Sequence, residues 1–272
     1  MSLSGEAPAA VRYLVPGLAA GLVCFAFSRV LIGPLISSAV DYEGEREHAE
    51  AMLTGDGHSH GHELFTRAVQ ENAGAGLGIV AFAVVMGTLF AVAYTVIAGV
   101  LARRGVRPDP LALTLLLSAG LFVAVALVPA LKYPANPPTV GLDETVAQRS
   151  SAFLTMLGVS VLGAVVALGL AVRVWRRGDG RRVSAWAIGG YAVVVAAAMV
   201  WLPSFHEVPG SVAGPQGPLL DGFPAEVLAD FRVYTLLNQA LMWTVIGVVY
   251  AVATQWWSEA RRPLTVAHGR DR

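Results

Sequence analysis

The chain is short of the residues that make a soluble surface. Charged residues fill 14% of its 272 positions against 55% hydrophobic ones, and the mean hydropathy is +0.60. Soluble domains carry roughly 25% charged residues, so this shortage excludes an ordinary globule and indicates an integral membrane protein. Cysteine is almost missing. The single Cys24 rules out an internal disulfide and a thiolate metal cluster. The phosphate-cradling G-x-x-x-x-G-K-[ST], the H-E-x-x-H zinc pattern, the G-x-S-x-G nucleophile turn and a pair of intramembrane histidines for haem are all lacking. No enzyme is therefore expected, and any use of ATP needs another subunit. Neither sign of charge is in excess, with 19 Lys and Arg against 19 Asp and Glu, so nothing calls for a nucleic-acid partner.

What the chain does have is long apolar runs. A helix crossing a hydrocarbon core of about 30 Å needs roughly 20 apolar residues, and six stretches meet this, near 12–36, 74–101, 111–131, 152–174, 184–203 and 233–257. The expected fold is all-α, a single membrane domain over 1–272 in contact with the lipid bilayer. The first span is long for a signal sequence and meets Gly33 and Pro34 instead of a small-residue cleavage site, so it is expected to stay. The runs GAGLG at 74–78 and GAVVALGLAV at 163–172 admit two readings. Small residues let helices approach closely in lipid, or they reflect the taste of a GC-rich genome.

Arginines set the expected orientation. Arg103, Arg104 and Arg107 follow the second span, Arg173, Arg176, Arg177, Arg181 and Arg182 follow the fourth, and Arg261, Arg262, Arg270 and Arg272 follow the sixth. All fall on one side together with Arg12, which by the positive-inside bias places both termini in the cytoplasm of a cell-membrane protein.

A weak internal repeat runs through the spans. Pro34, Pro129 and Pro203 stand at three outward exits, and the chain re-enters after Glu63 with Arg67, Glu144 with Arg149, and Glu226 with Arg232. This predicts three helical hairpins with a pseudo-threefold repeat. The plainer account is that prolines favour helix ends and charges mark any membrane boundary.

Five of the six histidines, His48, His58, His60, His62 and His206, fall on the predicted outer face. The first outer segment, a His-rich loop at 40–71, begins DYEGEREHAEAM, where Glu43, Glu47 and His48 suit a short amphipathic helix. It continues as GDGHSHGH, too rich in glycine for a stable one. Three imidazoles at alternate positions, His58, His60 and His62, with Asp56 and Glu63 beside them, can wrap a divalent cation such as cobalt, nickel, zinc or copper; the other reading is a solvated loop. His206 and Glu207 after Pro203 suit a second metal station or a simple interface pair. The segment KYPANPPTVGLDETVAQR has no histidine and reads as a rigid cap, with Lys132 reaching to the interface. Inside the first span Arg29 is a costly charge, suited to a structural or gating ion pair or to reaching the outer interface. Asn72, Asn238 and Gln239 can give neutral oxygen ligands or interhelical hydrogen bonds.

The segments SSAVDYEGEREHAEA with its later HSHGH, LKYPANPP and DFRVYTLLNQ together resemble the CbtA family of predicted cobalt transporter subunits, over essentially all spans. The resemblance implies cobalt uptake linked to cobalamin synthesis and a small single-span, His-rich partner protein, CbtB. Cobalt, or nickel or zinc in its place, is then substrate, with no tightly bound cofactor. The expected metal contacts are His58, His60, His62, His48, Glu47, His206 and Glu207. The competing expectation is an accessory or scaffold membrane protein whose outer loop binds a metal or a partner without transport.

Overall fold

In a computed structural model, residues 6–54, 74–174 and 180–260 are described. The described chain folds as helix α1 (Glu6–Phe27), a π-helical turn (Ser28–Ile32), α2 (Gly33–Thr54), α3 (Ala75–Arg103), α4 (Pro110–Leu121), a second π turn (Phe122–Leu127), α5 (Val128–Lys132), α6 (Val146–Val174), α7 (Gly180–Trp201), a small hairpin of β1 (Val212–Gly214) and β2 (Gly217–Leu220), and α8 (Ala225–Ala260). Six continuous helical stretches are long and apolar enough to cross a membrane. The protein is an all-α, multi-pass membrane protein.

Two of the three prolines expected at exits act differently from a helix stop. Pro34 has no N–H to give to the preceding turn and its ring crowds that turn. The chain answers with the π turn Ser28–Ile32 immediately before it and then continues as helix. Tyr13–Thr54 is thus one helical stretch of 42 residues, about 63 Å at 1.5 Å per residue, roughly twice the hydrocarbon thickness. Its α2 half must project beyond the bilayer, carrying the acidic segment that the sequence assigns to an outer helix. Pro129 repeats the device after Phe122–Leu127. Pro203 behaves as expected, since α7 stops at Trp201.

Helix packing follows side-chain size. Gly17 and Gly21 of α1 lie against the α3 backbone at Ala83, Val84 and Val80, and Gly87 lies against Gly17. The ring of Phe25 rests on Gly76. From the GAGLG run it is therefore Gly76 that works as a packing surface. Gly78 and Gly169 have open space around them, and Gly163 merely touches Tyr191, so the later small-residue run makes no tight seam.

Helix α8 is the hub, packed on α1, on α4 and on both π turns, while α6 pairs with α7 and meets α5. The resulting order of spans is second, first, sixth, third, fourth, fifth. The expected pseudo-threefold repeat is not confirmed by this packing. Equivalent hairpins would pair the fifth and sixth spans as the first and second are paired, yet α7 and α8 share no comparable interface among the described residues. Helix α7 instead sits at the rim, where Trp186, Val200 and Trp201 are 82%, 87% and 90% exposed and suited to lipid.

Candidate functional site: a latched cap above a polar layer

At the end of the bundle opposite the arginine-rich loops, three segments lock together as a cap. Tyr42 of α2 meets Phe223 edge-on at 5.1 Å and donates to the Asp221 carbonyl at 3.1 Å. Ala39, Val140 and Leu228 close the same small core. Arg46 donates to the Gly210 carbonyl at 3.0 Å. The LKYPANPP segment clasps the stretch that follows Trp201, with Lys132 Nζ 2.6 Å from Ser204 Oγ and Tyr133 donating to the Pro203 carbonyl at 2.7 Å. Arg232 Nη2 donates to Asn136 Oδ1 at 2.7 Å. A segment with closely spaced prolines has few N–H donors of its own, which explains why side chains do the fastening.

Glu207 is the latch. Its Oε2 accepts from the Leu142 N–H at 3.0 Å and the Thr145 hydroxyl at 2.7 Å, and lies 3.3 Å from Arg149 Nε. The Leu142 N–H first, then Thr145 and Arg149, hold its carboxyl below the usual carboxylate range. Gly141, at φ +127°, leaves the room that the Arg149 guanidinium occupies. Oε2 of Glu207, a residue expected with His206 to contact metal, is thus engaged in the cap.

The remaining nominated residues are scattered. Glu47, His48 and His206 are exposed on the cap. Burial first, then like-charge repulsion from Glu47 and Asp143, raises the Glu43 carboxyl above its ordinary value, so α2 and the stretch after LKYPANPP bring carboxylates to one region. Among the described residues, no group of three or more His, Cys, Asp or Glu is spaced to hold a metal ion. His58, His60 and His62 lie outside the described residues, as do Asp56, Glu63 and Asn72. Arg29 is exposed, and its guanidinium lies beside Gly33.

Below the cap the bundle contains a polar layer that sequence reasoning half found. Thr235 Oγ1 and Asn238 Oδ1 on α8 are buried with no hydrogen-bond partner, and so is Trp243 Nε1. The Asn238 carbonyl is 3.6 Å from Cys24 Sγ on α1, which places this layer one turn from the first π turn. Ser118 on α4 donates to the Trp243 carbonyl. In the second π turn, the Ala124 carbonyl accepts from Ser160 at 2.7 Å, and Ser160 in turn meets Tyr191 Oη at 2.8 Å. Widened turns disturb the regular ladder and recur at functional sites. The signal for Asn238 was its polarity inside an apolar run. Thr235 carried no such signal, because threonine in a helix commonly bonds its own backbone.

Toward the arginine end the layer is closed by packing. Phe90, Ile246 and Tyr250 are fully buried with Met242 and Trp243 beside them, and Tyr250 meets the rings of Phe90 and Tyr94 at 5.3 Å and 5.0 Å.

A family model described as "Probable cobalt transporter subunit (CbtA)" matches residues 9–255. No curated protein and no solved structure matches the chain.

Proposed function

The chain belongs to the CbtA family, and on that premise we propose that it admits a divalent transition metal, cobalt for cobalamin synthesis, through the cell membrane. Membership carries the transport reading, because the match takes in all six spans. The capture step is drawn from the chemistry of the outer residues. His58, His60 and His62 on a glycine-rich segment collect the ion, and Glu47, His48 and His206 on the cap receive it. Their support is the acidic character of that surface, where Glu43, Glu47 and Asp143 lie within electrostatic reach, next to a histidine segment that starts where α2 ends. Glu207 serves this surface as its latch.

Both termini lie in the cytoplasm in this reading, with the cap outside, as the arginine loops require. Inward movement then runs down the membrane potential, worth about 2.3 kcal/mol per charge per 100 mV and twice that for a divalent ion. No fuel-binding domain is needed for facilitated entry. As one subunit of a transporter the chain works with another protein, for which a small single-span, His-rich chain of the CbtB kind is the candidate. Replacement of His58, His60 and His62 by Ala tests the capture step: the cobalt concentration for half-maximal uptake rises while membrane insertion is unchanged. Unchanged uptake in that triple variant makes these histidines bystanders.

A further inference from the structure

Between α5 and the helical turn Asp143–Thr145, residues 133–142 form neither helix nor strand. Pro134, Pro137 and Pro138 leave this segment few N–H groups with which to build either. Remote segments fasten it near both ends instead. Tyr133 is tied to Pro203 and Asn136 to Arg232 on one side, and Leu142 to Glu207 on the other. Between these points the Val140 N–H reaches the Pro137 carbonyl at 3.3 Å, closing a turn with Pro138 second and Thr139 third. Thr139 stands at φ +74° and is the one non-glycine residue with positive φ among the described residues. A turn with proline second and positive φ third favours glycine or asparagine at that third place. A β-branched side chain there is strained. Such strain persists only where the surroundings over-determine it, and it gathers in clamps and switch regions.

We propose that residues 133–142 are a spring-loaded strap, an outer gate that lifts as a unit off the small core between α2 and α8 and settles back onto it. Val140, 5% exposed, is what the strap places in that core, against Ala39, Tyr42, Phe223 and Leu228. The Thr139 hydroxyl adds a contact of 3.4 Å to the Ala39 carbonyl. One buried valine and a few side-chain fastenings are a modest anchor, so the strap can open without unfolding its neighbours. Lifting releases Thr139 from its left-handed backbone. It also carries Asp143, at the end of the strap, away from Glu43, whose carboxyl it opposes. Both changes favour the open strap, whereas the burial of Val140 and the ties to Arg232 and Glu207 favour the closed one. Opposed contributions of this kind make a two-state element. The gate takes its physiological sense from the proposed transport, but the lifting itself is separately testable.

The test follows the exposure of position 140 in the full chain in lipid nanodiscs. Val140→Cys adds a thiol to a chain whose only other one, Cys24, is 2% exposed, and the chain with Cys24 alone is the blank. The rate of labelling by a water-soluble maleimide, divided by the rate for the same chain in denaturant, follows the open fraction. Val212→Cys on β1, 7% exposed and outside this core, reports unfolding of the cap as a whole. Thr139→Gly should slow labelling at position 140 by about fivefold or more, and Thr139→Asn should slow it less. Damage to the fold cannot produce slower labelling. Asn136→Ala, which removes the partner of Arg232, should quicken it by about threefold or more and leave Val212→Cys unmoved. A rate that Thr139→Gly leaves unchanged or raises overturns the stored strain, and quickening at 212 in step with 140 overturns a strap that lifts as a unit. Cobalt uptake into proteoliposomes, measured in parallel, should fall in the Thr139→Gly chain. Slower labelling with unchanged uptake refutes the gate, whereas the expected labelling without uptake by any of these chains upholds the strap and refutes transport by this chain alone.

Discussion

Gly17 offers the sharpest test of how the helices pack. A Cβ at this position meets the Ala83 carbonyl oxygen at 2.5 Å and the Val84 Cα at 2.6 Å. Ordinary contact begins at 3.4 Å, so Gly17→Ala forces α1 and α3 apart by about 0.9 Å at their crossing, as overpacked cores do. Both obstacles are backbone, which cannot rotate away as a side chain can. Overpacking of this kind costs about 1–3 kcal/mol, and the separation also loosens Gly87, which lies on Gly17 itself. Gly169→Ala is the control, since nothing lies within 4 Å and the added methyl gains helix propensity of up to about 1 kcal/mol. Thermal unfolding of the two variants in detergent, followed by size-exclusion chromatography, should show a clear loss for Gly17→Ala and none for Gly169→Ala. Equal melting of the two variants refutes the claim that α1 and α3 meet backbone to backbone.

Ser160→Ala removes a hydroxyl that joins the Ala124 carbonyl to Tyr191, leaving buried partners unmatched. A loss of about 1–3 kcal/mol in detergent melting is expected, and no loss means that the second π turn needs no outside donor. The Glu207 latch should be acid-sensitive. Its carboxyl is held below the usual range, so its stabilising contribution is complete above the unfolded value and disappears as pH falls through the lowered folded value. The protection of the 139–149 amides against hydrogen exchange, taken relative to the intrinsic rate at each pH, should thus fall on acidification in the wild type. In Glu207→Gln that protection should be low already at neutral pH and lack the step, and identical protection profiles for the two chains contradict the latch. The triple replacement of His58, His60 and His62 should shift half-maximal uptake upward without lowering the amount of inserted protein.

Much of the fold was legible because hydrocarbon imposes a simple length rule. Six apolar runs were expected, and six helical stretches are long and apolar enough to cross a membrane among the described residues. The prolines were legible in position but not in consequence. Pro34 and Pro129 do mark irregular backbone, yet a π turn absorbs the missing donor in both cases, and residue type alone does not choose between ending a helix and widening it. Two arginines of the expected acid and arginine re-entry pairs serve as anchors to remote partners. Arg149 fastens to Glu207 and not to nearby Glu144, and Arg232 to Asn136, because segments remote in the chain converge on the cap. The expected threefold symmetry drew on local patterns, whereas span order depends on contacts such as Gly17 with Ala83. Among nominated site residues, Asn238 stood out as a polar residue in an apolar run, while the commitment of Glu207 to Leu142 and Thr145 depended on a tertiary contact that no motif records.

The central claim is that this chain admits a divalent metal. Its most direct test is uptake of radioactive cobalt into proteoliposomes containing the chain alone, under an imposed inside-negative potential, with nickel and zinc as competitors. Saturable uptake that grows with the potential is the predicted result, and counts no higher than those of empty vesicles contradict it, making the chain an accessory protein that cannot move metal without its partner.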